Sequence, residues 1–252
     1  MPLPLSTILQ IADSAFPTGA FAYSSGLEAL ARAGQFPTMA TLESYLETHV
    51  RQATTFDLAY VAAAHDAGLK VGHTHRDNVY GGEGEEPGVL PHSADALFAL
   101  CDEWDATQWN VGMRTASLRQ ARAFVDALID AFALPADHPL RALQADAAKP
   151  DSILHFVPAL GYALAVLGAS RAQACTLYLH GLARDQAAAA VRLGIVGPRA
   201  AQTLQANALS NASRTLGDAH GLPTPRAARR TAPLVETGQG GHGFLYSRLF
   251  QN

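Results

Sequence analysis

The sequence predicts an all-α protein, and three observations carry the prediction. Apolar residues recur at three- and four-residue steps along almost every periodic stretch. Helix punctuation falls where those stretches begin and end: Thr38 before one, Pro135 after another, Gly168 and Gly197 as C-terminal glycines, Pro198 in a first turn. No segment has the β-branched alternation of a strand. The expected architecture is one helical-bundle-like domain over 1–216, of roughly eight to ten helices, followed by a disordered tail over 217–252 that ends in a partner-binding motif.

Taken in order, the chain opens with an apolar run and then reads DSAFPTGAFAYSSGLE over 13–28. Pro17 and Gly19 permit a turn that continuous helix would forbid, and Ser24 or Ser25 can cap a short helix over 24–33. On that helix Glu28 and Arg32 pair at i,i+4. Phe16, Phe21 and Tyr23 offer large areas with few rotamers, suited either to anchoring in a protein interface or to pinning the segment to the core. Between 38 and 68, Leu42, Tyr45, Leu46, His49, Ala53, Phe56, Tyr60 and Ala63 keep helical spacing. Residues 68–92, GLKVGHTHRDNVYGGEGEEPGVLPH, are rich in glycine and charge and lack a period, so they read as a surface insertion. Ser93 is placed to cap a helix carrying Leu97, Leu100, Cys101 and Trp104. Further helices are expected over 111–133, 139–147, 152–167, 170–196 and 199–218. The alanine-rich 152–167 and 170–196 suit close helix packing, within the chain or across a two-fold seam, and Arg171, Tyr178 and Arg184 are the candidate dimer contacts.

The final stretch, GFLYSRLFQN, is too apolar for an idle tail. The gain from burying its aromatic and leucine side chains and the cost of ordering its backbone are similar in size. The tail is therefore expected to stay mobile until a partner supplies a groove and a carboxylate for Arg248.

Composition narrows function mainly by exclusion. The net charge is −4, which argues against a nucleic-acid binder, although the last third is basic: from Arg171 onward nine arginines face three acids. That asymmetry suits an acidic protein partner or a solvated face. A Walker A loop needs Gly-Lys-Ser/Thr, and the only lysines, Lys70 and Lys149, do not follow glycine. No zincin, EF-hand, nucleophile-elbow or dinucleotide fingerprint occurs in a usable context, and no nucleophile–base signature marks an enzyme. Cys101 and Cys175 read as buried thiols in a reducing compartment. Neither a signal peptide nor a membrane span is expected, and the predicted location is the cytoplasm. His73 and His75, with Asp77 and His92 nearby and His242 in the tail, could hold Ni²⁺ or Zn²⁺, though ordering a long glycine-rich loop opposes this. His49, His65, His155 and His180 lie singly on helices, as core or interface histidines usually do.

Four segments resemble one family. In 13–28, Pro17, Gly19, Phe21, Tyr23, Ser24, Gly26, Leu27 and Glu28 fill the N-terminal signature of the UreF family of urease accessory proteins, with Ser25 where glutamine is frequent. RTASLRQARAFV (114–125) is similar to the family's mid-chain helix through Arg114, Ser117 and Arg122. Residues 187–202 resemble it through Arg192, Leu193, Gly197 and Gln202, while Pro198 and Arg199 depart from a usual Gln-Thr. The ending is similar to the family's tail through His242, Tyr246, Ser247, Arg248, Leu249 and Phe250, with Gly243 in place of a usual acid.

The resemblance implies an all-helical, homodimeric, non-enzymatic scaffold that needs no cofactor, apart from a possible transient Ni²⁺. It implies binding to an accessory protein of the D (or H) type, recruitment or regulation of a G-type GTPase that carries the P-loop, and nickel insertion into apo-urease. The residues implied or read as partner-binding are Tyr23, Ser24, Glu28, Tyr246, Ser247, Arg248, Leu249 and Phe250. The competing expectation is a helical nickel metallochaperone that hands over metal through His73, His75 and His242.

Overall fold

A computed structural model of the chain describes the backbone of residues 2–36, 38–80, 94–215 and 221–251, and the side chains of these except 73–80 and 213–215. The described residues form helices and no strands, as the periodicity requires. The α-helices are α1 (Leu5–Ala12), α2 (Leu27–Arg32), α3 (Met39–Thr55), α4 (Asp57–Tyr80), α5 (Ala94–Asp105), α6 (Val111–Ala131), α7 (Pro139–Ala147), α8 (Phe156–Val166), α9 (Arg171–Arg192), α10 (Pro198–Thr215) and α11 (Pro233–Gly241).

Local chemistry sets the helix starts. Thr38 and Thr41 form a reciprocal capping box at α3, and Ser170 and Gln173 form another at α9. Asn110 Oδ1 accepts from the amides of Gly112 (3.0 Å) and Met113 (3.2 Å) at the head of α6. Gly168 closes α8 in the left-handed region as expected, but α9 closes on Gly194 (φ 71°) and not on Gly197. The run 38–68 is two helices, broken where Phe56 leaves helical geometry (φ −124°, ψ −69°).

The helices are arranged around α8. Every residue from Val157 to Val166 is buried, the pattern of a helix enclosed on all sides. Its most extensive partner is α4, with α6, α9, α5 and α7 completing the shell. The approach of α4 and α8 is too close for side chains at the crossing. A Cβ on Gly161 would strike the Val61 carbonyl, and one on Gly68 would lie 2.5 Å from the Tyr162 oxygen. This corrects the reading of 68–92 as a loop: α4 continues through Gly68 and Gly72 to Tyr80, and those glycines serve helix contact. Residues 81–93, with His92 and Ser93, lie outside the described residues.

The small-residue stripe is consumed within the chain: Ala163, Ala165, Ala183, Ala187 and Ala190 are all buried in the core. Cys101 and Cys175 are buried and free. Burial pushes their thiols up to about 12 and about 11, so neither is a reactive thiolate.

The expected free-standing tail is, in the structure, folded back onto the body. After a 3-10 turn at Pro225–Ala227, α11 packs on α2 and α6, and the last residues run across α2 to Gln251. The physical reason is polar and lies outside any accounting of apolar area. Two buried carboxylates, Glu28 and Glu236, hold this segment down.

Candidate functional site

The site is built where the two end segments meet. The N-terminal turn passes through two consecutive left-handed residues, Ser25 (φ 49°) and Gly26 (φ 92°), before α2. Gly26 is required there twice over, because a Cβ would also sit 2.5 Å from the Gln239 amide nitrogen of α11. The N-cap of α2 is Gly26, and neither Ser24 nor Ser25 takes that position as expected; Ser24 Oγ, two residues further upstream, instead accepts from the Glu28 amide at 3.4 Å.

This geometry buries Glu28 completely. Its carboxylate accepts from the Leu249 amide (2.7 Å), the Phe250 amide (3.1 Å) and His242 Nε2 (3.1 Å). Arg32, its expected i,i+4 partner, stands 4.0 Å away and more than half exposed. Burial pushes the carboxyl up, but the Leu249 amide, the His242 ring and the Phe250 amide outweigh it and hold the group below the ordinary carboxylate range. Three further contacts extend the closure. The Gln251 amide donates to the Ala22 carbonyl at 2.8 Å, and Gln186 Nε2 donates to the Ser24 carbonyl at 3.1 Å. Arg192 donates to the Phe21 carbonyl, and its guanidinium lies between the Phe21 ring (3.7 Å) and the Phe250 ring (4.1 Å).

A second buried carboxylate anchors the start of the segment. Glu236 accepts from Gln52 Nε2 (2.8 Å), an Arg230 guanidinium nitrogen (2.8 Å) and the Trp109 indole (3.1 Å). Gln52 Oε1 in turn accepts from the Thr231 and Ala232 amides. No apolar pattern announces either anchor, and only the acids at Glu28 and Glu236 in otherwise uncharged stretches hint at them.

The closure divides the expected partner-binding residues into two sets. Tyr23, Ser24, Glu28 and Phe250 are buried, so they shape the surface from beneath. Tyr246, Ser247, Arg248 and Leu249 are exposed, as are Phe21 and Phe244, the latter 92% exposed. Arg248 does not await a carboxylate: it donates to the Gly243 carbonyl at 2.7 Å and shapes the tail's own turn.

The remaining candidates are engaged within the chain. Arg171 pairs with Asp66 (3.6 Å), Arg184 pairs with Asp185 (2.8 Å) and also donates to the Ala12 carbonyl, and Tyr178 faces Asp57. The side chains of His73 and His75 lie outside the described residues, and His242 is buried against Glu28. Among the described residues no group of three or more His, Cys, Asp or Glu could hold a metal ion. None of the described helices is long and apolar enough to cross a membrane. Two of the lone histidines are held through one ring nitrogen: His65 Nε2 meets the Ala169 carbonyl at 2.9 Å, and His155 Nε2 meets Asp105 at 2.8 Å.

Fold and site together define a helical protein whose two ends close over a buried carboxylate and display an aromatic surface flanked by arginines. Residues 37–209 match the sequence profile of UreF, and the chain belongs to the UreF family. It is 27% identical over 237 residues to the urease accessory protein UreF of Azorhizobium caulinodans, covering 94% of this chain and 90% of that one. It is 28% identical over 243 residues to urease accessory protein F of Arabidopsis thaliana, covering 96% and 90%. A shorter stretch of 73 residues is 37% identical to the UreF of Mycobacterium tuberculosis, covering 29% of this chain and 35% of that one.

Proposed function

We propose that the chain is a non-enzymatic scaffold of urease maturation: it binds a D-type (or H-type) accessory protein and recruits or regulates a G-type GTPase for nickel insertion into apo-urease. The observation that carries the reading is the meeting of the two end motifs. Glu28 joins them, and the joint turns Phe21, Phe244, Tyr246 and Leu249 outward together with Arg192 and Arg248. Exposed aromatics on a polar-anchored backbone are what protein interfaces use as anchors. The basic last third suits an acidic face on the partner. Nickel is cargo of the assembly and needs no resident site in this chain. The functional form is a cytoplasmic homodimer, with Arg171, Tyr178 and Arg184 near the seam.

The test is co-expression with D-type and G-type urease accessory proteins, followed by affinity capture and sizing. The wild-type chain is expected to co-elute with the D-type protein. A Phe244→Ala/Tyr246→Ala double variant is expected to lose it while keeping the same helical circular dichroism. Unchanged capture of the partner by the double variant would overturn the assignment of this surface.

A further inference from the structure

A cavity of about 150 Å³ lies beneath the N-terminal turn, bordered by α3, α5, α6, α8 and α9. The formal charges in its wall cancel: Asp57 and Asp185 line it together with Arg184 and Arg230. Arg184 is paired with Asp185 at 2.8 Å, and Arg230, paired with Glu236 at 2.8 Å, also acts on Asp57 through space. Burial keeps the His49 ring in the same wall neutral, with its pKa lowered to about 4. Such a lining offers no net charge to an ion of either sign, and burying an ion against it is costly.

The polar groups left over are balanced as well. Four residues of the wall each carry a buried polar atom with no hydrogen-bond partner: Trp104 Nε1, Arg230 Nε, Gln186 Oε1 and His49 Nδ1. The first two donate. The Trp104 indole lies toward the Asp57 carboxylate without completing a hydrogen bond to it, and the outer end of the Arg230 guanidinium is spent on Glu236. The other two can accept. Gln186 is oriented by the bond from its Nε2 to the Ser24 carbonyl, which leaves Oε1 bare. His49 Nδ1 accepts in the neutral tautomer that carries its hydrogen on Nε2. Trp104, Gln186 and His49 are all more than nine-tenths buried. Buried donors and acceptors left empty are unfavourable, so an occupant that both donates and accepts is favoured over one that does only one of these.

We propose that this cavity is a binding site for a small neutral primary carboxamide, its carbonyl accepting from Trp104 Nε1 and Arg230 Nε and its NH2 group donating to Gln186 Oε1 and His49 Nδ1. A primary amide carries two acceptor lone pairs and two N–H donors, the reverse of what the wall offers. Water can meet the same atoms, but it gains nothing from the apolar part of the wall, among it Phe124, Leu160 and Leu177, which takes a short alkyl group. A cavity of this size accommodates about six heavy atoms, as an engineered cavity that holds benzene does. Thr18, Ala20 and Arg184 line both this cavity and a surface groove under the N-terminal turn, which gives a route in. The site stands on these residues alone and does not depend on the role proposed above.

The chain has two tryptophans, and they make the test direct. The Trp109 indole is already bonded to Glu236 at 3.1 Å, whereas that of Trp104 has no partner, so the first serves as a reference for the second. The experiment follows both indole N–H signals of the isotope-labelled full chain by NMR during titration with propionamide, with isothermal titration in parallel. A ligand this small binds weakly, so the titration runs into the millimolar range. N,N-dimethylacetamide, which cannot donate, and n-propylammonium, which cannot accept, are the comparison titrants.

The expected result is a saturable shift of the Trp104 signal with propionamide that the Trp109 signal does not follow. Trp104→Phe identifies the signal by deleting it and removes one donor while keeping an aromatic ring. Its affinity for propionamide, read by isothermal titration, is expected to fall about three- to tenfold, the loss of one hydrogen bond. Because that donor has no partner in the free chain, the melting temperature of Trp104→Phe is expected not to fall through lost hydrogen bonding. Gln186→Leu, which removes an acceptor, is expected to weaken binding by a similar factor, and Trp104→Phe carries the test if loss of the Ser24 contact unfolds the glutamine variant. Absence of a saturable Trp104 shift overturns the proposal, as does equal binding of either comparison titrant, or undiminished affinity in a folded Trp104→Phe chain.

Discussion

Glu28 shows how one side chain can decide where a whole terminal segment goes. Its carboxylate is fully buried and accepts from two consecutive amides near the chain's far end. Replacing it with glutamine puts an amide N–H where an acceptor is needed and leaves one donor unpaired, a cost of about 1–3 kcal/mol. Glu28→Gln is expected to loosen 242–251, read as faster trypsin cleavage at Arg248, with the helical signal of the body retained. Because the Glu28 pKa is depressed in the fold, its stabilisation is present above the ordinary carboxylate pKa and is lost as the pH falls through the depressed value. His49 adds an acid-sensitive contribution. With a folded pKa of about 4 against an ordinary 6.5, its contribution is present above pH 6.5 and is lost as the pH falls toward 4, by about 3 kcal/mol. Asp57 runs the other way: its raised pKa means stability is gained as the pH falls through about 6. The two partly cancel, so single variants are needed. His49→Gln should flatten the loss of urea stability between about pH 7 and about pH 4.5, and Asp57→Asn should raise the melting temperature more at about pH 7.5 than at about pH 5. At this scale the sequence is legible in part. Lone histidines on helices read as structural groups, and His49, His65 and His155 are buried as that reading requires. Tyr23 reads as a partner contact and is buried, because aromatic identity alone does not say which face a turn presents.

At the scale of elements, the α4–α8 packing turns on glycines that the sequence disguises. Gly68 and Gly72 open a stretch that composition marks as loop, yet they mark the face on which two helix backbones meet. Glycine content reports flexibility and close approach equally, and only the partner helix tells them apart. Gly161→Ala forces a methyl group into the Val61 backbone, where no flexible side chain can yield. The expected cost is about 1–3 kcal/mol, a fall of several degrees in melting temperature for a chain of this length. Gly243→Ala meets open space and should leave the melting temperature unchanged within about 0.5 kcal/mol. The other helices are legible almost to their ends because caps and stripes agree: the Thr38 cap, the 139–147 helix and the Gly168 stop all stand. The exceptions are α1, which reads only as an apolar run, and α11, whose PLVETGQGG carries too little periodicity to be recognised without the α2 surface it packs on.

For the whole molecule, stability and display are separable. Phe244 and Tyr246 project into solvent, so removing both should leave the melting temperature within about 0.5 kcal/mol of wild type while partner capture disappears. Phe250→Ala, beneath them, should cost about 3–5 kcal/mol locally and release the same surface by undocking it. Matched melting and capture measurements on these variants distinguish removal of the docking side chains from removal of the support beneath them. The end motifs are legible as motifs, but their convergence is not. The hydrogen bond from Leu249 to Glu28 spans 221 positions, and no local pattern encodes a partner so distant. That span also sets an order of events. Everything that packs around α8 can form while Glu28 is still waiting, and the carboxylate sits desolvated without its donors until residues 242–250 arrive. A polypeptide interrupted between the end of α10 and Leu249 keeps its helical body but never finishes its outward face. Recruitment through that face would thus double as an inspection, admitting to the next step only chains whose translation has run through to the latch.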